Sequence, residues 1–289
     1  MAIGAPPEAG FFHPEPSMFK PAFRKRIEPL IPKFVMRWMD PFHSSLNDHL
    51  RAAAAAVPAG ALVLDAGAGE CPHAALFGHT RYIKIDRGIG DKAWDYSRID
   101  VQADICDLPF PDSIFDAVIN IQVLEHIREP GQCVREMARV LKPGGHLVLT
   151  TVQDWEIHQH PNDFFRYTRY GLEYLFLKAG LESRVEPLGG LFWNISFRLM
   201  ATLGFLQQGW RWIFFVLLAP VFAFFVPALC YALDPLDRRR DYTLGYFCSC
   251  RKPLPRSAGL LAGHAGFPAA IPDQLEHRPG STFAGAGPG

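Results

Sequence analysis

The sequence predicts an α/β fold, a doubly wound and mainly parallel sheet of about seven strands with a hydrophobic helical insertion before the last strand. Three observations predict it. Short apolar runs recur along residues 61–151, as expected for parallel strands covered on both faces. Segments with helical spacing alternate with these runs, and the connections are short. A stretch without any charged residue, 212–233, interrupts the alternation near the end of the chain.

The amino-terminal part divides into an arm and the start of the core. Residues 1–32 are rich in proline and show no periodicity, which is typical of a flexible arm. The core is predicted over residues 33–190. It begins with two short helices at 33–39 and 43–56, and the second stops before Pro58.

Strands and helices then alternate. The runs that predict strands are 61–65, 82–86, 115–121 and 146–151. A helix is predicted over 130–141, and residues 142–145 (KPGG) are expected to end it and to turn into the next strand. A further helix at 171–180 and a strand at 181–187 complete the core.

Composition excludes several classes of protein. Lys+Arg and Asp+Glu both total 29, so the chain is not a generally basic nucleic-acid binder, and no nucleic-acid partner is expected. The six cysteines lack the paired spacing of zinc ligands, so they predict reduced thiols, a reducing compartment and no metal. No charged-then-apolar run opens the chain, so a cytosolic or cytosol-facing location is expected.

A glycine loop follows the first strand. In Val63-Leu-Asp-Ala-Gly-Ala-Gly-Glu70, two glycines let backbone N–H groups approach a ligand closely. A dinucleotide site is the rival interpretation, because Asp86 follows at about the interval of a ribose-binding acid. Pro72 in the third small-residue position argues against a dinucleotide. So does Asp65, whose carboxylate would repel a pyrophosphate but would balance an ammonium group.

These motifs resemble the class I S-adenosylmethionine-dependent methyltransferases, in particular the small-molecule group with a D-x-G-x-G loop. The resemblance runs from about Leu62 to Gly180 and implies a Rossmann-like fold with S-adenosylmethionine as cofactor. It implies that Asp86 binds the ribose hydroxyls and that Asp104 and the Ile105 N–H meet the adenine. The residues it places at the cofactor are Asp65, Gly67, Gly69, Asp86, Asp104, Ile105 and Asn120.

A polar segment after the strand at 146–151 predicts the acceptor side. The spacing H-x-x-P-x-D-F-F-R-Y-T is similar to one in methyltransferases that accompany polysaccharide or glycolipid synthesis. If the acceptor is a hydroxyl, His158 is the predicted base and Asp163 orients it or the substrate. The predicted substrate-binding residues are His160, Arg166 and Tyr167, with Arg166 holding an anionic group. An internal Asp163–Arg166 ion pair is the alternative.

The insertion is predicted over 191–240. Its charge-free stretch is long enough to cross a bilayer, but the strand predicted at 241–252 requires both ends to lie on one side of a membrane. Arginines flank both ends, which also favours a hairpin that dips into the cytosolic face of a membrane. A buried helix pair or a dimer interface is the soluble alternative. The tail, 253–289, is expected to be disordered because it is rich in Gly and Pro.

The sequence therefore predicts a membrane-associated methyltransferase that acts on a hydroxyl of a glycan, glycolipid or similar lipid-linked acceptor. A quinone-type lipid ring is the second candidate acceptor. A non-catalytic, methyltransferase-like membrane scaffold is the candidate from another class, and a nicotinamide oxidoreductase is the least favoured.

Overall fold

The computed structural model of the chain describes residues 32–90 and 94–255. The predictions for the flexible arm and for the disordered tail concern residues that lie almost entirely outside these ranges. The helices are α1 (Lys33–Met39), α2 (Pro41–Ala56), α3 (Pro130–Val140), α4 (Arg169–Lys178), α5 (Leu191–Thr202), α6 (Trp212–Pro220) and α7 (Val226–Leu233).

A seven-stranded mixed sheet forms the centre of the molecule, in the order β3-β2-β1-β4-β5-β7-β6. The strands are β1 (Leu62–Ala66), β2 (Arg81–Asp86), β3 (Val101–Gln102), β4 (Phe115–Ile121), β5 (Leu141–Val152), β6 (Glu182–Leu188) and β7 (Gly245–Arg251). Strands β1 to β5 pair in parallel, whereas β7 runs antiparallel to both β5 and β6. The predicted α/β fold with about seven strands is confirmed.

The sheet is buried because helices cover both of its faces. Alternate residues of β4 point to opposite faces: Val118 belongs to the core with α3 and α4, and Ala117 and Ile119 belong to the core with α2. Met137 of α3 lies in the first core and Leu50 of α2 in the second, and both are fully buried. This two-sided burial explains why these strands read as continuous apolar runs.

Local signals account for where the helices begin. Asp40 caps α2, since its side chain accepts a hydrogen bond from the His43 N–H, and Pro41 occupies the first helical position. Thr168 caps α4 by accepting from the Gly171 N–H. Both helices begin two residues before the predicted positions because these caps lie outside the apolar pattern.

The segment 142–145 differs from the prediction. Strand β5 already begins at Leu141, directly after α3, and 142–145 form an irregularity in the ladder: Leu141 pairs with Phe115, and His146 is the next paired residue, opposite Ala117. Lys142 closes this bulge with an ion pair to Asp116, 2.6 Å from Nζ to Oδ1. The sequence also offered no signal for β3, which has two residues.

The insertion folds as two apolar helical arms, the apolar hairpin (residues 191–236). Its first arm is α5, and its second arm runs through α6, a π-helical turn (Val221–Phe225) and α7. Among the described residues one helix, Gly209–Leu236, is long and apolar enough to cross a membrane. Of its most apolar 18 residues, 17% are buried. Pro220 ends α6 directly before the π-helical turn, so it lies within the second arm and not between the two arms.

Asp234 holds the two ends of the apolar hairpin together. The residue is 2% exposed, and its carboxylate accepts hydrogen bonds from the N–H groups of Gly190 and Trp193 at the start of α5. Arg240 donates to the same carboxylate at 3.0 Å. The hairpin therefore leaves and re-enters the core at one point, which allows β7 to insert between β5 and β6.

Candidate cofactor and acceptor site

One large cavity of about 840 Å³ lies at the carboxyl ends of the parallel strands. This is the edge at which α/β sheets bind ligands, and the strand order changes direction here, between β1 and β4. The turns after these strands form one side of the cavity. The other side is formed by α1, the start of α2 and α5.

The glycine loop after β1 forms the floor of the cavity. Gly67 and Gly69 have positive φ values of 92° and 51°, where a side chain would be strained. A Cβ at Gly67 would lie 2.7 Å from the side chain of Val123, and one at Gly69 would lie 3.3 Å from the ring of Trp94. The loop therefore has no room for a side chain at Gly67 and little room for one at Gly69.

Asp65 lies at the end of β1, is 2% exposed and lines the cavity. Burial raises the pKa of its carboxyl to about 7, although a hydrogen bond from the Tyr82 hydroxyl, at 2.5 Å, lowers it. No cationic side chain of the described residues forms an ion pair with it. The carboxylate is thus arranged to gain most from a cationic group of a ligand.

Asp86 and Asp104 lie on the same wall of the cavity. Asp86 accepts backbone hydrogen bonds from Gly69 at 3.0 Å and from Gly88 at 2.7 Å. Asp104 accepts from the Cys106 N–H, and Arg87 lies 3.4 Å from its other oxygen. Ile105, also predicted, lines the same cavity. The structure therefore brings the carboxylates of the second strand and of the Asp104 turn together with the glycine loop.

Asn120 is not a cavity residue, which corrects its predicted contact with the cofactor. It is fully buried in β4, and its Nδ2 donates to the carbonyl oxygen of Ala66 at 2.7 Å. This bond ties the end of β4 to the end of β1. The neighbouring Ile121, Gln122 and Val123 reach the cavity instead, because Asn120 points to the interior of the sheet.

Several aromatic and apolar cavity residues were missed by the sequence analysis. Trp94 covers Gly69 and Gly90, and Trp155 packs against Phe197 of α5 with ring centroids 4.4 Å apart. Trp94, Trp155 and Phe197 come from segments that are distant from one another in sequence, and none of them belongs to a motif that indicates a cofactor site. The apolar residues of the wall opposite the glycine loop are Met36, Met39, Phe42, Trp193, Phe197, Met200 and Ala201.

The polar segment after β5 contributes two of its predicted residues to a single cluster. His158 lines the cavity with a side chain that is 16% exposed, and Asp163 lies behind it, 2% exposed. Asp163 accepts a hydrogen bond from the His158 N–H at 2.9 Å, and its Oδ2 lies 3.4 Å from the His158 Nδ1. Asp163 therefore supports His158 and does not itself face the cavity.

The predicted substrate contacts of Arg166, Tyr167 and His160 are corrected. Arg166 donates to both oxygens of Asp163, at 2.6 and 2.7 Å, and to backbone carbonyls of the segment, so its guanidinium is used internally. The pKa of Asp163, which burial would raise, is held below its usual value chiefly by these bonds. Tyr167 is buried and donates to the Leu124 carbonyl at 3.0 Å. His160 is exposed and does not line the cavity.

A second polar cluster lies beside His158. His126 contacts the His158 ring edge to face, with centroids 4.7 Å apart. Its Nδ1 donates to the Asn162 carbonyl at 2.6 Å, so its Nε2 carries the lone pair. Glu125 is fully buried, and Thr151 donates to its Oε2 at 2.8 Å. Burial raises the pKa of the Glu125 carboxyl to about 7.

The fold and the site define a class of protein. A seven-stranded sheet of this order, a glycine loop after β1 and a carboxylate at the end of β2 are the features of class I S-adenosylmethionine-dependent methyltransferases. Residues 64–149 match a family described as a methyltransferase domain. The chain therefore contains a class I methyltransferase domain, and the cofactor of this domain is S-adenosylmethionine.

Curated relatives agree with this class over part of their length. A probable S-adenosylmethionine-dependent methyltransferase of Mycolicibacterium smegmatis is 38% identical over 99 residues, which are 32% of this chain and 38% of the relative. The ubiquinone biosynthesis O-methyltransferase of Alkalilimnicola ehrlichii is 36% identical over 61 residues, 21% of this chain and 22% of that protein. The chain thus matches well under half the length of each.

A solved structure, an S-adenosylmethionine-dependent methyltransferase from Mesorhizobium loti, superposes with a TM-score of 0.42. It is 16% identical and covers 71% of this chain and 96% of its own.

Proposed function

We propose that this chain methylates a hydroxyl of a glycan, glycolipid or other lipid-linked acceptor at the cytosolic face of a membrane, with S-adenosylmethionine as methyl donor. One observation carries the proposal. A single cavity joins a carboxylate-lined half, with Asp65 and Asp86, to an apolar half whose wall includes α5 of the apolar hairpin. An acceptor with a polar end and an apolar chain fits such a cavity.

The residues present fit the cofactor. The carboxylate of Asp65 suits an ammonium group, Asp86 can accept hydrogen bonds from two ribose hydroxyls, and Ile105 with Trp94 offers apolar surface to a purine. S-Adenosylmethionine, when bound, supplies a methyl group on a positively charged sulfur. The protein's contribution is to hold the acceptor oxygen in line with that carbon and to exclude water.

The acceptor must lose a proton as its oxygen forms a bond to the methyl carbon and the carbon–sulfur bond breaks. His158 is the proposed proton acceptor, since it lines the cavity and its Nδ1 lies 3.1 Å from the Glu156 carbonyl. That contact puts a proton on Nδ1 and leaves the lone pair on Nε2. The proton passes to the imidazole and then to solvent, a contribution of roughly 10²–10⁴-fold to the rate.

The apolar hairpin supports a membrane location. No residue of α6 is buried, and all of its large apolar side chains except that of Phe215 are exposed. Trp210 and Trp212, 75% and 56% exposed, flank Arg211 at the turn between the two arms. Tryptophan and arginine are the residues that favour the boundary between headgroups and hydrocarbon. We therefore place the distal half of the hairpin in the interface of one leaflet.

The test offers isotopically labelled S-adenosylmethionine to the purified chain with vesicles made from total bacterial lipids. The label is expected in a sugar-bearing lipid, and His158→Ala should lower its rate of incorporation at least 100-fold without weakening cofactor binding. Label in an isoprenoid quinone would favour the second candidate, a role like that of the Alkalilimnicola ehrlichii relative. Cofactor binding without incorporation into any lipid would favour the scaffold.

A further inference from the structure

The cluster of Glu125, His126 and His158 has the composition of a metal site. One donor atom from each of the three lies within 4.8 Å of the others. Two nitrogen ligands and one carboxylate are the ligand set of many catalytic zinc and iron sites, which keep one coordination position open. The residues come from two different segments, the turn after β4 and the loop after β5, so their meeting follows from the fold and not from a sequence motif.

Two polar atoms of the cluster are buried without a partner. Within the described residues, neither Glu125 Oε1 nor His126 Nε2 forms a hydrogen bond. Leaving a buried polar atom without a hydrogen bond costs about 1–3 kcal/mol of folding free energy. A bound ligand that pairs with these atoms would remove this cost. Hydrogen bonds elsewhere fix both groups: Thr151 donates to the second oxygen of Glu125, and Nδ1 of His126 donates to Asn162.

The surroundings are compatible with a dication. His126 is oriented like a metal-binding histidine, whose far nitrogen donates to a carbonyl or carboxylate. His158 has the same arrangement toward the Glu156 carbonyl. Arg166, whose charge acts on both Glu125 and His126, is held by Asp163 in a bidentate ion pair. The Glu125 carboxylate would therefore offset part of the charge of a dication.

We propose that Glu125, His126 and His158 bind a divalent first-row transition metal, of which Zn²⁺ is the best match, at the wall of the cavity. Ligands of zinc lie about 2.0–2.2 Å from the ion, so the three donor atoms, which lie within 4.8 Å of one another, would draw closer on binding. His126 and His158 both line the cavity, so a fourth ligand could reach the ion from it. This deepens the proposed function, on which the role of the ion rests: the ion would make a bound acceptor hydroxyl more acidic, and the proton would leave to solvent. With the ion bound, His158 would serve as a ligand; it is the proton acceptor of the proposed function only when the ion is absent.

The experiment titrates the purified full chain, stripped with a chelator, with Zn²⁺ alone by calorimetry. We expect one equivalent to bind with a micromolar or tighter dissociation constant. His126→Ala and His158→Ala should each weaken binding at least tenfold. The matched control is His160→Ala, which removes an exposed histidine of the same loop and should change the affinity less than twofold. Co²⁺ in place of Zn²⁺ should give the visible absorption of a four- or five-coordinate ion, and His126→Ala should abolish it.

Two results would overturn the site: no stoichiometric binding, or binding that His126→Ala and His158→Ala leave unchanged. Glu125→Gln is a secondary variant, and its folding is checked by thermal unfolding because the residue is fully buried. The experiments distinguish a wrong metal site from a wrong proposed function. Zinc binding without methylation of any lipid would refute the function alone, whereas full methylation in excess chelator would show that the ion takes no part in the reaction.

Discussion

Asp86 at the end of β2 accepts a hydrogen bond from the backbone N–H of Gly69 at 3.0 Å, which joins the second strand to the glycine loop. The same carboxylate accepts from Gly88 at 2.7 Å. Two backbone donors hold it against the cavity in one orientation. The arrangement gives the first prediction, because a side chain fixed in this way can bind a pair of vicinal hydroxyls without further ordering.

Asp86→Ala should weaken binding of S-adenosylmethionine more than tenfold, since it removes a charged hydrogen-bond partner worth about 1.5–3 kcal/mol. Calorimetric titration measures the change. Asp100→Ala is the matched control: Asp100 pairs with Lys84 of β2 but does not line the cavity. Equal affinities of the wild type and Asp86→Ala would reject the assignment of this residue to the ribose.

Gly67→Ala should abolish detectable cofactor binding and lower the free energy of unfolding. Its φ of +92° disfavours alanine, and the new Cβ would lie 2.7 Å from Val123. Gly60→Ala separates the two effects, because Gly60 has a φ of +75° with nothing within 4 Å of the added atom. Chemical unfolding should show a loss of about 1 kcal/mol in both variants from the backbone alone. Retained binding in Gly67→Ala would show that the loop does not approach the ligand closely.

The affinity for S-adenosylmethionine should fall as the pH is lowered below 7. The pKa of Asp65 is raised to about 7 by burial, so the empty site holds this carboxyl protonated in acid. An ammonium group favours the ionised form, and binding must then release a proton, which costs up to tenfold in affinity per pH unit. Titrations from pH 5.5 to 7.5 in two buffers of different ionisation enthalpy measure both effects. In Asp65→Asn the dependence should disappear, and an affinity independent of pH in the wild type would contradict the assignment.

The apolar hairpin should bind vesicles through its exposed side chains. Leu217 and Phe225, both 65% exposed, lie on its second arm, so the double variant Leu217→Glu/Phe225→Glu should lose cosedimentation with anionic vesicles. Leu177→Glu is the control, since Leu177 is also 65% exposed but belongs to α4. If the wild type stays in the supernatant and forms dimers that the double variant disrupts, the exposed arm is an interface between protein chains.

Much of the site was predictable because its residues belong to one short motif or end a strand. Asp65, Gly67, Gly69 and Asp86 follow apolar runs whose carboxyl ends must meet at one edge of a parallel sheet. Asn120 belongs to a similar pattern, but its side chain turns inward to bind Ala66. The direction of a side chain at a strand end depends on the register of its neighbours, which a single sequence does not show.

The polar segment after β5 illustrates the limit more sharply. It was predicted to supply acceptor contacts at His158, His160, Arg166 and Tyr167, and only His158 lines the cavity. Arg166 is used by Asp163, as the alternative interpretation held. Charged residues close together in sequence pair with one another when the loop that carries them is buried, because an unpaired buried charge is costly.

The sequence by itself determined the class of fold, the cofactor loop and the existence of an apolar segment. These depend on periodicity, on glycine and on length, which are local properties of the chain. Only the tertiary structure decided that α1 and α5 wall the cavity with apolar side chains and that Glu125 and His126 meet His158. Those contacts join segments more than thirty residues apart. Burial and pairing at such distances depend on how the helices and loops pack over the sheet, and no local pattern encodes that packing.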